Sequence, residues 1–155
     1  MKDILIIGGG LAGLISAIHL SKAGWQVVLL EKKDYPRHKV CGEYISNEVL
    51  PYLSTLGLNP MLLSPQIIKR FQLTAPSGKF IEKPLDLGGF SVRRYTLDEY
   101  LYQQALQCKT EIHLNTTVQK VEFKEDFFEV RHASPKTLPK HCFRLFSYVY
   151  KLLLQ

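Results

Sequence analysis

Lys2-Asp-Ile-Leu-Ile-Ile-Gly8-Gly9-Gly10-Leu11-Ala12-Gly13-Leu14 opens the chain, and Trp25-Gln-Val-Val-Leu-Leu-Glu31 closes the unit that it begins. Ile4, Leu5, Ile6 and Ile7 form an unbroken aliphatic run, the pattern of a parallel strand buried on both faces. Gly8, Gly10 and Gly13 stand at the spacing G-x-G-x-x-G. In such a turn the first glycine permits a sharp bend, the second lets backbone approach a pyrophosphate, and the third lets a helix pack on the strand. The helix is expected from about Leu11 to Ala23, with Leu14, Ile15, Ala17, Ile18 and Leu20 as its apolar side and Gly24 as its stop. Its first amides, around Leu11 and Ala12, carry a partial positive charge that favours a phosphate at the turn. Val27 to Leu30 read as the second buried strand, with Glu31 at its tip. A carboxylate there accepts ribose hydroxyls and repels a 2′-phosphate, so the expected ligand is FAD or NAD rather than NADP.

The remainder of the sequence is what is attached to this βαβ unit. A chain of 155 residues suits one domain with an ordinary core. Its 46% hydrophobic and 22% charged content are globular values that exclude a disordered chain. Cys41, Cys108 and Cys142 have no metal-ligand spacing and point to free thiols in a reducing compartment, hence a cytoplasmic location. The histidines form no i, i+4 pair or metal constellation. No signal peptide is expected, and no segment reaches the ~18 apolar residues of a membrane-spanning helix. Of the net charge of +6, the end of the chain carries +5. Arg131, Lys136, Lys140, Arg144 and Lys151 all lie beyond residue 130, and no acidic residue does. They are scattered rather than clustered, which argues against a nucleic-acid partner.

Lys32 to Glu43 is a loop by its charges and Pro36. Asn47 to Leu56 reads as a helix with Ser46 as N-cap and Gly57 as its stop. Phe71, Leu73 and Ala75 alternate, Pro76-Ser77-Gly78 turns, and Lys79 to Lys83 returns, a β-hairpin. Gly88 to Arg93 reads as a separate strand. Thr96 and Glu99 stand at capping-box spacing for a helix whose apolar side is Leu97, Leu101 and Leu106. A strand follows over Glu111–Asn115, then two more joined at Lys124-Glu125-Asp126. The fold class is therefore α/β: a parallel sheet with a βαβ start plus an antiparallel β meander.

Ile6-Ile7-Gly8-Gly9-Gly10-Leu11-Ala12-Gly13-Leu14, with the terminal Glu31-Lys32, resembles the Rossmann-like FAD-binding start of the glutathione-reductase-like flavoproteins. Pro36-Arg37-His-Lys39-Val-Cys41-Gly42-Glu43-Tyr-Ile-Ser46 resembles the second motif of geranylgeranyl-reductase-like flavoproteins, relatives of the flavin halogenases and aromatic-ring monooxygenases. Arg94-Tyr-Thr-Leu-Asp98 is similar to a third motif of that group. The resemblance implies FAD as cofactor and NAD(P)H as reductant, with a small molecule such as a lipid or isoprenoid as substrate. It carries Gly8, Gly10, Leu11, Ala12, Gly13, Glu31, Lys32, Arg37, Lys39 and Val118 over as cofactor contacts, with Arg94, or Arg93 if the register slips by one, over the phosphates or ribitol. Cys41 and Gly42 fall near the flavin. No catalytic acid or base is nominated.

The same resemblance implies that the Glu111–Asn115 strand lies beside the first strand. Residues 1–130 then form the FAD/NAD(P)-binding domain, with a β segment inserted over about 65–93. The resemblance stops near residue 130, without the Gly-Asp segment that holds the ribitol in similar proteins. The basic, apolar tail 131–155 is read as a product of truncation or frame change, as a helix over Phe143 to Leu154, or as an interfacial membrane segment.

Overall fold

The computed structural model describes residues 3–41, 43–124, 127–133 and 141–144. The chain divides into two compact units, one built from Met1–Arg37 with the chain from Asp98 onward, the other His38–Leu97.

In the first unit, β1 (Ile4–Ile7) and β2 (Val27–Leu30) pair in parallel, Ile4 opposite Val27 and Ile7 opposite Leu30. β6 (Glu111–His113) pairs in parallel with the other edge of β2. The expectation that this strand lies beside β1 is therefore corrected: the order is β1-β2-β6. All four residues of β2 are buried, as a central strand requires. Side chains alternate across the sheet, and both faces are covered. On one face Leu5, Val28 and Leu30 form a cluster with Val130, joined by Ile7, Val118 and Val121. These last partners come from β7 (Thr117–Lys124) and β8 (Phe127–Ala133), an antiparallel pair extended by β9 (His141–Arg144). On the other face α1 (Leu11–Lys22) approaches Ile6 at Gly13 and buries Leu14, Ala17 and Ile18. Each fully buried aliphatic side chain contributes about 1.5–3 kcal/mol. The unbroken aliphatic runs of β1 and β2 follow from this two-sided burial.

α1 ends in a Schellman arrangement. Gly24, at φ +92, donates to the Ser21 carbonyl, and Trp25 donates to that of Leu20. α3 (Arg94–Gln107) buries Leu97, Leu101 and Ala105, while Leu106 is 40% exposed, so Ala105 replaces Leu106 in the apolar stripe. The helix begins before Thr96: the amides of Thr96 and Leu97 both donate to the Arg93 carbonyl, which leaves no role for a capping box at Thr96. Its far end is tied to α1, where the hydroxyls of Ser21 and Thr110 lie 2.9 Å apart.

The second unit holds β3 (Tyr44–Ser46), α2 (Val49–Thr55), β4 (Gln66–Thr74) and β5 (Phe80–Ser91), with strand order β3-β5-β4. Ser46 belongs to β3, so α2 starts later than the Asn47 expected, and no side chain caps it. The expected hairpin is β4–β5, and its return strand and the separate strand expected at Gly88 are one continuous β5. Pro84 sits opposite Arg70, where β4 carries a bulge, which is how a proline is accommodated there. Leu53, Leu56, Leu58, Phe90 and Val92 are among the buried residues of this unit.

The expected tail border at residue 131 falls inside β8, and β9 pairs with β8 from Phe127 opposite Arg144 to Val130 opposite His141. Of the helix expected over Phe143 to Leu154, Phe143 and Arg144 are strand, and the rest lies outside the described residues.

Candidate dinucleotide site

Two parallel strands side by side bring their carboxyl ends together, and those ends carry the glycine turn and Glu31. Gly8 has φ +102, and a Cβ built there meets nothing within 4 Å, so the turn faces open space. A Cβ on Gly13 would run into the Gly8 carbonyl, so only glycine lets α1 lie this close to the end of β1. Gly10 is the N-cap, no side chain caps the helix, and no acid stands in its first turn. The start of α1 thus keeps its partial positive charge for a ligand.

Glu31 is 5% exposed and is held from three sides. The Gly9 amide donates to its Oε2 at 2.7 Å, and the Lys33 amide donates to its Oε1 at 2.9 Å. The Arg37 guanidinium lies 3.1 Å from Oε2. The strand end itself is fixed by β6: the Glu31 amide donates to the His113 carbonyl, and the Thr116 amide donates to the Glu31 carbonyl, both at 2.9 Å. One loop further out, the Asn115 side-chain amide donates to Asp34 at 2.6 Å. A carboxylate offers about four acceptor positions. These donors among the described residues occupy three, two on Oε2 and one on Oε1.

Tyr35 was not read from the sequence, yet it is central to this cluster. Its hydroxyl donates to the Gly9 carbonyl, and a Cβ on Gly9 would collide with it. Its ring stacks on Tyr102 of α3, with centroids 4.7 Å apart and planes at 17°. The Arg37 guanidinium lies 4.8 Å from the ring centroid and also donates to the Asp34 carbonyl at 3.2 Å. Burial pushes the Tyr35 phenol above its usual range, and the negative charge of Glu31 adds to the rise. The phenol therefore stays a donor throughout the neutral range. The one signal in the sequence is an aromatic residue between the strand-end acid and Pro36.

Gly8, Gly10, Leu11, Ala12, Gly13, Glu31 and Arg37 are brought together here, with Arg37 on the acid itself. Lys32 is exposed beside Glu31. Val118 packs its side chain against the Leu5–Val28–Leu30 cluster. Lys39 and Cys41 are exposed residues of the second unit, and the Glu43 amide donates to the Cys41 sulfur at 3.4 Å. Gly42 lies outside the described residues. Arg94 is 9% exposed at the start of α3, and Asp98, one turn on, is fully buried.

Comparison with known proteins gives the same reading. The family description "FAD dependent oxidoreductase" matches residues 3–41, the glycine turn through Cys41. A flavin-dependent halogenase of Armillaria mellea is 28% identical over 132 residues, which cover 80% of this chain and 26% of that protein. Digeranylgeranylglycerophospholipid reductase 2 of Methanopyrus kandleri is 30% identical over 113 residues, 72% of this chain and 28% of that protein. Among solved structures, p-nitrophenol 4-monooxygenase from Pseudomonas putida shares the fold with a TM-score of 0.78 at 18% identity, over 93% of this chain and 39% of its own. The chain thus spans about a quarter of the curated relatives. Residues 3–41 thus match the FAD-dependent oxidoreductase description, and over a longer stretch the chain is similar to flavin halogenases and isoprenoid reductases.

Proposed function

We propose that the chain binds FAD by its adenosine diphosphate half and serves an NAD(P)H-dependent oxidoreductase. One observation carries the reading. The uncapped start of α1 lies behind an open glycine turn, and the buried Glu31 carboxylate stands at the end of the adjacent parallel strand. The amides of Leu11, Ala12 and Gly13 would take the diphosphate, and Glu31 a ribose hydroxyl. Lys32, Arg37, Lys39 and Arg94 would balance its negative charge, with Cys41 toward the flavin and Val118 toward the nucleotide. Bound flavin supplies two-electron chemistry, while the protein supplies binding and orientation. The reductase relative supports a small-molecule substrate, a lipid or isoprenoid among them; the proposed location is the cytoplasm, at or near a membrane surface. Among the described residues no helix is long and apolar enough to cross a membrane.

The second reading is weak nucleotide binding without turnover. The purified protein decides between them. A visible flavin spectrum, or quenching of added FAD fluorescence, supports binding, and a colourless protein indifferent to FAD sinks both readings. Bleaching of the bound flavin by NAD(P)H separates the first from the second.

A further inference from the structure

We propose that Tyr35 is a positioning residue that aims the Gly9–Gly10 peptide at the diphosphate of a bound dinucleotide. Gly9 is held on both of its sides. Its N–H donates to Glu31, and its carbonyl accepts from the Tyr35 hydroxyl. In a trans peptide the N–H points opposite to the carbonyl of the same plane. Clamping the Gly9 carbonyl onto Tyr35 therefore turns the Gly10 N–H away from Tyr35, where it joins the first amides of α1 as a donor. The absence of a side chain at Gly9 is what lets the hydroxyl reach the backbone, since a Cβ there would occupy its place. The clamp is itself anchored: the ring rests on Tyr102 of α3 and lies against Arg37, which is paired with Glu31. Tyr102, Tyr35, Gly9, Arg37 and Glu31 form one connected network. The hydroxyl stays protonated because the buried ring and the neighbouring carboxylate disfavour a phenolate.

The ligand consequence rests on the dinucleotide reading above, whereas the clamp does not, and the experiment separates them. Tyr35→Phe keeps the ring, the stack and the Arg37 contact, and removes only the hydroxyl. Amide hydrogen exchange is followed at Gly9, with Ile18 in the buried face of α1 as internal reference. ADP and FAD affinities are measured by calorimetry on the same samples. The expected result is Gly9 exchange faster by about tenfold or more with Ile18 unchanged, and ADP and FAD weakened by the same factor of about 5–10, the usual worth of one hydrogen bond. Tyr102→Leu, which keeps the hydroxyl but removes the stack, gives a smaller change of the same kind. It also serves as the test variant should Tyr35→Phe fold poorly. Unchanged Gly9 exchange in both variants overturns the proposal, whatever happens to affinity. Faster exchange with both affinities within twofold of wild type overturns its diphosphate part. A wild-type protein that binds neither ADP nor FAD defeats the dinucleotide reading, while Gly9 exchange still decides the clamp.

Discussion

The Glu31 carboxylate and the Arg37 guanidinium lie 3.1 Å apart, with side chains 6% and 16% exposed. The pair closes a ring that also contains the Gly9 and Lys33 amides. Removing the carboxylate leaves three donors without their acceptor at once. Glu31→Ala is expected to destabilise the fold by about 1–3 kcal/mol, the cost of stranding buried donors. Glu31→Gln keeps one acceptor oxygen and is expected to cost less, and Arg37→Met, which leaves both amide bonds in place, less still. Urea unfolding reads this as an ordered fall in midpoint at unchanged slope. An Arg37→Met midpoint below that of Glu31→Ala would contradict the arrangement.

The parts legible in the sequence are those fixed by local pattern. The run Ile4 to Ile7, the glycine spacing and the acid after Leu30 each follow from neighbours along the chain, and the structure has each of them where the pattern puts it. The parts that were not legible depend on residues far apart. That β6 pairs with β2 is decided by which sheet edge its backbone reaches, and no spacing in Glu111–His113 encodes it. The continuity of β5 through Pro84 depends on a bulge in the partner strand. Thr96 and Glu99 have the letters of a capping box, but the turn closed earlier on the Arg93 carbonyl. Tyr35 was invisible because its partner Gly9 lies 26 residues away, and glycine patterns are read for their ligand rather than for an internal clamp.

Gly8 and Gly13 differ in why they must be glycine, and substitution separates the reasons. At Gly13 an added methyl group meets the Gly8 carbonyl, so backbone must move. Gly13→Ala is expected to cost about 1–3 kcal/mol through overpacking. At Gly8 the space is open and the cost lies in φ +102 alone, about 1–3 kcal/mol of backbone strain. Scaled for a chain of this size, each kcal/mol lowers the melting temperature by about 2–4 °C. A neutral Gly13→Ala would mean that α1 does not lie against the turn.

The β4–β5 hairpin presents an apolar face to solvent. Leu73 and Ile81 are direct cross-strand partners, 57% and 58% exposed, and Phe71, 48% exposed, lies two residues along the same face opposite Lys83. Exposed apolar strand faces favour association. Leu73→Thr with Ile81→Thr keeps β-branched side chains or introduces them, and removes the patch. The double variant is expected to bind less hydrophobic dye and to scatter less light on concentration. Its stability should stay within about 0.5 kcal/mol of wild type, as at other exposed positions. A loss of several times that amount would mean that the face is covered in the protein.

Glu122 and Glu129 stand directly opposite each other across β7 and β8, an arrangement that repels on its own. Cations offset it: Lys124 and Arg131 contact Glu129 at 2.7 and 2.9 Å, and Lys120 contacts Glu122 at 2.7 Å. The hydrogen bond from Lys124, then that from Arg131, holds the Glu129 carboxyl down to about 2, below the ordinary glutamate value of about 4.3. The Lys120 hydrogen bond lowers that of Glu122 as well. A carboxyl whose folded value lies below its unfolded value contributes stability that is fully present above the unfolded value. That contribution fades as pH falls through the folded one. Wild type should therefore exceed Glu129→Gln in stability at neutral pH, and the gap should close between pH about 4.3 and about 2. These groups face solvent, so the gap should be modest and should shrink in molar salt, where the screening length falls to about 3 Å. Urea midpoints recorded across that pH range, with and without salt, measure it. A gap independent of both pH and salt would mean that Glu129 acts through packing rather than charge.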